Sequence, residues 1–219
     1  MRTRTARPLL ALALAGAIAL IGGRATAAPR DDARQALQDR DDVEGRRAAV
    51  RTLGDAGTMA DVPALVNALR DPDYAVRILA DQAIWEIWSR SGNQEIARLF
   101  ETGTHALSQG RWDEAVAAFT KIIERDPSFA EGWNKRATAY YLMGEYRKSL
   151  ADCDEVIKRN PLHYGALSGY GMIYVQLDQP ARALEYFERA LAVNPNMDAV
   201  RNTVETLKAL LLQQRKNAI

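Results

Sequence analysis

The stretch WNKRATAYYLMGEYRKSL, residues 133–150, decides the fold. Its apolar and aromatic residues fall three and four apart on both sides of Gly144, and it holds no histidine, no cysteine and no pair of acids. That spacing reads as two amphipathic helices joined at a glycine turn. One such hairpin cannot bury both of its apolar faces alone, so the segment should recur.

It does recur. Pro127, Pro161 and Pro195 stand 34 residues apart, after "ERD", "KRN" and "AVN". The same period aligns Leu99, Trp133 and Leu167; Gly103, Ala137 and Gly171; and Ala106, Tyr140 and Tyr174. Further on it aligns Gly110, Gly144 and Asp178; Trp112, Tyr146 and Pro180; Ala115, Ser149 and Ala183; and Phe119, Cys153 and Phe187. Gly103, Ala137 and Gly171 are small enough to let one helix backbone approach the next. The tyrosines, the phenylalanines and Trp112 are expected to fill the gaps between helices. The three prolines stop each second helix, because proline and the residue before it disfavour helix. Pro180 suits a first helical turn, where its missing N–H costs nothing.

These columns closely resemble the tetratricopeptide repeat (TPR). The resemblance covers three units over residues 96–195, followed by a capping helix and tail over 196–219 whose stripe is Val200, Val204, Leu207 and Leu211. Ahead of them, "LRDPDYAVRILADQAIWEIW" resembles the second half of a HEAT repeat. An earlier "EGRRAAVRTLGDAG" aligns to it, Arg46 on Arg77, Ala49 on Ala80 and Leu53 on Ile84, without the proline turn. Residues 30–90 are therefore read as two HEAT-like helix pairs, and Ser89 to Asn93 as the joint. The fold implied is all-α: a right-handed α-α superhelix of about eleven helices, with no sheet.

Residues 1–27 read as a signal peptide. Arg2, Arg4 and Arg7 precede a 13-residue apolar run, Leu9 to Ile21, and Ala25-Thr26-Ala27 has the small-x-small form of a cleavage site. Thirteen residues are too few to span a membrane. Removing the segment takes four arginines, so 29 Lys plus Arg become 25 against 28 Asp plus Glu, a net charge of about −3. That balance lacks the basic footprint of a nucleic-acid binder. Cys153 is the only cysteine, so no internal disulfide can form. Periplasmic export is the expected location, with secretion as the alternative.

The chemistry-bearing residues do not form a catalytic set. His105 and His163 stand 58 residues apart, without metal-ligand spacing, and each reads as structural or solvent-facing. Cys153 falls in a phenylalanine column and reads as a buried, inert thiol. Asp152, Asp154 and Glu155 read as solvated helix faces. Trp85 and Trp88 are expected to pack the HEAT–TPR joint. The chain reads as a non-enzyme with no cofactor and no metal.

The resemblance implies a concave groove lined by the first helix of each unit. Its candidate protein-binding residues are Phe100 and Thr104 in the first unit, Asn134, Thr138 and Tyr141 in the second, and Ser168, Gly169 and Met172 in the third. Gly165 and Gly169 fall toward the groove, where two glycines in one helix read either as room for close approach of a partner or as flexibility tolerated because neighbouring repeats hold the helix. TPR proteins that clamp acidic C-termini present paired basic residues there; Lys135 alone is no clamp. The expected role is an adaptor or assembly factor holding a protein or peptide in the groove. The alternative is a noncatalytic accessory subunit of a periplasmic or envelope enzyme complex.

Overall fold

The structure, a computed structural model, describes residues 28–217. The signal-peptide reading lies outside the described residues. Among those described there are eleven α-helices, one 3-10 turn (Met59–Asp61) and no strand. No described helix is long and apolar enough to cross a membrane.

The first four helices are α1 (Ala28–Ala36), α2 (Val43–Ala56), α3 (Val62–Ala68) and α4 (Tyr74–Ser89). Their packing rests on the two aligned HEAT-like segments: Ala49, Leu53, Ala80 and Ile84 are all buried in one core. The aligned arginines also do the same work. Arg46 Nη1 donates to the carbonyls of Asp39 and Arg40, both at 2.8 Å. Arg77 Nη1 donates to those of Asp71 (2.8 Å) and Pro72 (3.1 Å). Each arginine thus ties down the turn before its own helix. Arg46, itself buried, adds a two-pronged pair to Asp71 at 2.8 and 3.1 Å, which joins the two units.

Six helices build the TPR units: α5 (Gln94–Ser108) with α6 (Trp112–Arg125), α7 (Ala130–Leu142) with α8 (Tyr146–Arg159), and α9 (Tyr164–Gln176) with α10 (Pro180–Val193). The turns inside the pairs need a left-handed residue, supplied by Gly110 (φ 72), Gly144 (φ 76) and Asp178 (φ 54). Asp178 is the one non-glycine at positive φ among the described residues. A Cβ on Gly103 or Gly171 would lie 2.6 Å from the ring of Phe119 or Phe187, so both glycines exist for close helix approach. The capping helix α11 (Asp198–Asn217) buries Val200, Val204 and Leu207.

The HEAT-like segment folds back across the TPR units. Gly92 (φ 70) turns the chain in the joint, and Asn93 caps α5 by accepting the N–H groups of Glu95 and Ile96. Helix α4 then lies against the starts of α7 and α9 and the turns after α8 and α10. Asp81 accepts from Tyr164 Oη (2.6 Å) and Asn194 Nδ2 (2.8 Å). Asn196 Nδ2 donates to the Leu69 carbonyl at 2.7 Å, and Arg70 donates to the carbonyls of Ala192 and Val193. Trp85 and Trp88 do pack the joint, against the second and third units: Trp88 stacks on His163 with centroids 4.3 Å apart.

Two sequence expectations need correction. Trp112 does not fill an interhelical gap; at the start of α6 it is 38% exposed. Asp152 is not on a solvated face. It is buried and takes two hydrogen bonds from Arg136, both 2.8 Å, across the α7–α8 pair. The guanidinium reaches across the pair, which helical periodicity on one element does not reveal.

Candidate functional site

The three TPR units share one backbone plan but not one volume. Phe119 and Phe187 press their rings against Gly103 and Gly171. In the middle unit the same columns hold Cys153 and Ala137, and an added methyl does not replace a phenyl ring. The space left is a groove cavity of about 140 Å³ between α7 and α9, floored by Ser149 and Cys153 of α8.

Five of the eight candidate residues line this cavity: Asn134, Thr138, Tyr141, Gly169 and Met172. Gly169 is the informative one. A Cβ there would meet only Cys153 Sγ, at an ordinary 3.8 Å, so helix packing does not require the glycine. Met172, which also lines the cavity, is 43% exposed. No charged residue contributes to the lining. Ser149 uses its hydroxyl on the Ala137 carbonyl (2.8 Å), and Thr138 returns its own to the Asn134 carbonyl (3.0 Å). The surface offered is therefore largely apolar, with few free polar groups.

The other three stand apart. Phe100 packs edge-on to Phe119 and Phe129, at 6.1 and 5.9 Å, within the first unit's core. Thr104 bonds back to the Phe100 and Glu101 carbonyls. Ser168 is buried in α9 and does not line the cavity.

Gly165 also faces this region, but its space is taken from within. A Cβ on it would lie 2.7 Å from the Trp85 ring. The partner whose approach the glycine permits is the chain's own HEAT-like segment. Lys135 is occupied in the same way: its Nζ is 3.3 Å from Glu131 Oε1 and 5.9 Å from the centroid of the Trp85 ring.

Beneath them lies a buried polar cluster that sequence reading missed. Glu131 and His163 are fully buried, with His163 Nε2 at 2.9 Å from Glu131 Oε2. His163 Nδ1 accepts the Ala166 N–H at 3.0 Å, capping α9, so the imidazole is the neutral Nε2–H form that donates to Glu131. Burial alone would raise the Glu131 carboxyl. The His163 hydrogen bond, with Lys135 and Asn134, outweighs it and holds the group below its usual range. His163 is thus structural. Cys153 is an inert thiol, pushed up to about 12 by burial and by its aspartate neighbours.

Comparison with known proteins agrees with this architecture. The tetratricopeptide-repeat profile matches residues 100–155 and 134–198, and the HEAT-repeat profile matches residues 5–99. A TPR repeat-containing protein of Rhizobium etli is 34% identical over 146 residues, which cover 67% of this chain and 71% of that one. Hsp70-Hsp90 organizing protein 1 of Glycine max is 26% identical over 49% of this chain, which spans only 19% of that protein. Among solved structures, the first TPR of Spaghetti (RPAP3) bound to HSP90 peptide SRMEEVD superposes with a TM-score of 0.52 at 27% identity. It covers 54% of this chain and 94% of its own. The Sgt2 TPR domain from Aspergillus fumigatus (TM-score 0.54, 22% identity, 58% of this chain and 85% of its own) shares the fold.

Proposed function

Because the chain belongs to the tetratricopeptide repeat family, we propose that it works by binding a protein segment in the groove of its TPR units. The observation that carries this reading is Gly169: a helical glycine that packing does not require, opening onto an uncharged cavity beside an exposed methionine. A cavity of about 140 Å³ suits one branched aliphatic side chain of an extended peptide or an inserted helix. The similar Spaghetti domain was solved with an acidic HSP90 peptide. In the groove here Lys135 is engaged by Glu131 and Trp85, and the cavity has no charged lining. The partner proposed is accordingly anchored by apolar side chains rather than by clamped carboxylates.

The role proposed is that of a non-enzymatic adaptor or assembly factor in the periplasm, exported by residues 1–27 and cut after Ala27. The second reading is a noncatalytic accessory subunit of a periplasmic or envelope enzyme complex. N-terminal sequencing of the exported form should begin Ala28-Pro29-Arg30; full-length chain in the membrane fraction would contradict the cleavage. Capture from the envelope fraction with the wild-type protein and with Tyr141→Ala identifies groove-dependent partners by mass spectrometry. Tyr141→Ala should weaken a central contact by about 2 kcal/mol, because buried aromatics dominate such interfaces. Partners retained equally by both proteins would contradict groove binding.

A further inference from the structure

Helix α4 meets the TPR units along one face, with Asp81, Trp85 and Trp88 at successive turns. Asp81 shows what the turn after a second TPR helix accepts. The carboxylate sits on Asn194 Nδ2 at 2.8 Å, with a second donor, Tyr164 Oη, at 2.6 Å. One period earlier the matching residue is Asn160. Its Oδ1 accepts the Leu162 N–H at 3.2 Å, as Asn194 Oδ1 accepts the Asn196 N–H at 3.0 Å, so the two turns are built alike. Yet Asn160 Nδ2, in a residue only 4% exposed, meets no acceptor among the described residues.

A second buried donor is likewise unpaired. Trp88 Nε1, also in a residue 4% exposed, has no acceptor among the described residues. Trp88 and Asn160 both line a cavity of about 200 Å³ between α4 and the second TPR unit. Leaving two such donors unpaired is costly. Phe129 and Ile87 give the cavity apolar walls, and Arg90 and Arg159 bring positive charge to it. Arg90 is held by the Gly54 and Gly57 carbonyls, and Arg159 by the Pro127 carbonyl and Glu155. The one carboxylate in the lining, Glu131, already accepts from His163, Asn134 and Lys135.

We propose that this junction cavity binds a carboxylate carried on a short apolar body, received by Asn160 Nδ2 and Trp88 Nε1 as Asp81 is received by Asn194 and Tyr164. The acid is either free or the C-terminal residue of a peptide; the recognising chemistry is shared. Through α4 and α8 the ligand would tie the HEAT-like segment to the middle TPR unit, next to the groove but not in it.

The test is a proton–nitrogen correlation titration of the purified protein, read at the indole N–H of Trp88, which is assigned by its loss in Trp88→Phe. The probes are 4-methylpentanoate, and a leucine-ended tripeptide with a free or an amidated C-terminus. A saturable shift of the indole signal by 4-methylpentanoate supports the site with a free acid. A shift by the free-acid tripeptide alone supports it with a peptide end, and amidation should then weaken binding. Asn160→Asp keeps the turn, as Asp126 does one unit earlier by accepting the Ser128 N–H, while replacing the donor with a like charge. It should lower affinity about tenfold or more, the effect of one charge-assisted hydrogen bond. Gly169→Leu should leave the titration unchanged. No saturable shift with any probe, so that the cavity holds water only, overturns the proposal. So does equal affinity in Asn160→Asp.

Discussion

The first and third TPR units close their helix pairs with a glycine against a phenyl ring; the middle unit uses alanine against a thiol. The backbone plan is common to all three, so the difference is one of volume. A tightly packed pair contributes stability and offers little for a partner to enter. The loosely packed pair leaves a cavity on the concave face, and the next helix turns an unpacked glycine, Gly169, toward it. On the proposed function, packing and binding are divided between neighbouring units of one repeat.

The largest effect should come from breaking a tight unit. Gly171→Leu drives a side chain into Phe187, whose ring already stands 2.6 Å from where a Cβ would be. Chemical denaturation should show a loss of about 3 kcal/mol, the upper end for overpacking. Unchanged stability would mean that the glycine is not a packing residue.

Next comes the polar support beneath the loose unit. Glu131→Gln puts amide hydrogens against His163 or against Asn134 and Lys135, all of them donors here, and should cost about 2 kcal/mol at neutral pH. The pH dependence has a definite sign. A carboxyl held below its usual value in the fold stabilises fully above its unfolded pKa, about 4.3, and that stabilisation is lost as pH falls through the folded value. Asp73, lowered to about 2 chiefly by its Arg47 hydrogen bond, acts in the same direction further down. Denaturation measured from pH 6 to pH 2 should therefore fall more steeply for wild type than for Glu131→Gln.

Converting the loose unit to the tight pattern sharpens the comparison. The double change Ala137→Gly with Cys153→Phe should fill most of the groove cavity. Filling gains about 24 cal/mol per Å³, while the new helical glycine costs about 1 kcal/mol, so stability should rise by roughly 1 kcal/mol. Binding of the captured partner should be lost. A stable variant that still binds would separate the cavity from the function.

The smallest effect is in the third unit's turn. Asp178 stands at φ 54, where the other units have glycine. Asp178→Gly relieves a left-handed side-chain conformation and should raise stability by about 0.5–1 kcal/mol by thermal unfolding.

The sequence made the helices and their pairing legible, because a 34-residue period repeats the turns, the helix-ending prolines and the apolar columns. It also marked Gly169 as unexplained and Gly171 as structural. The HEAT-like segment's seat on the second and third units was not legible. Asp81 meets Tyr164 and Asn194 across 83 and 113 residues, and no periodicity encodes contacts between two different repeats. Gly165 was open to two readings for that reason: the approaching group, Trp85, belongs to the same chain. Cys153 in a phenylalanine column carried the signal for the cavity, but only once its volume was set against that of Ala137.

The most direct test of the divided roles is the affinity of a captured partner for Gly169→Leu, measured by calorimetry beside its unfolding midpoint. The account predicts binding weakened at least about tenfold with the midpoint unchanged or raised, since leucine is the better helix former and fills only the groove. Wild-type affinity in a folded Gly169→Leu protein would contradict it.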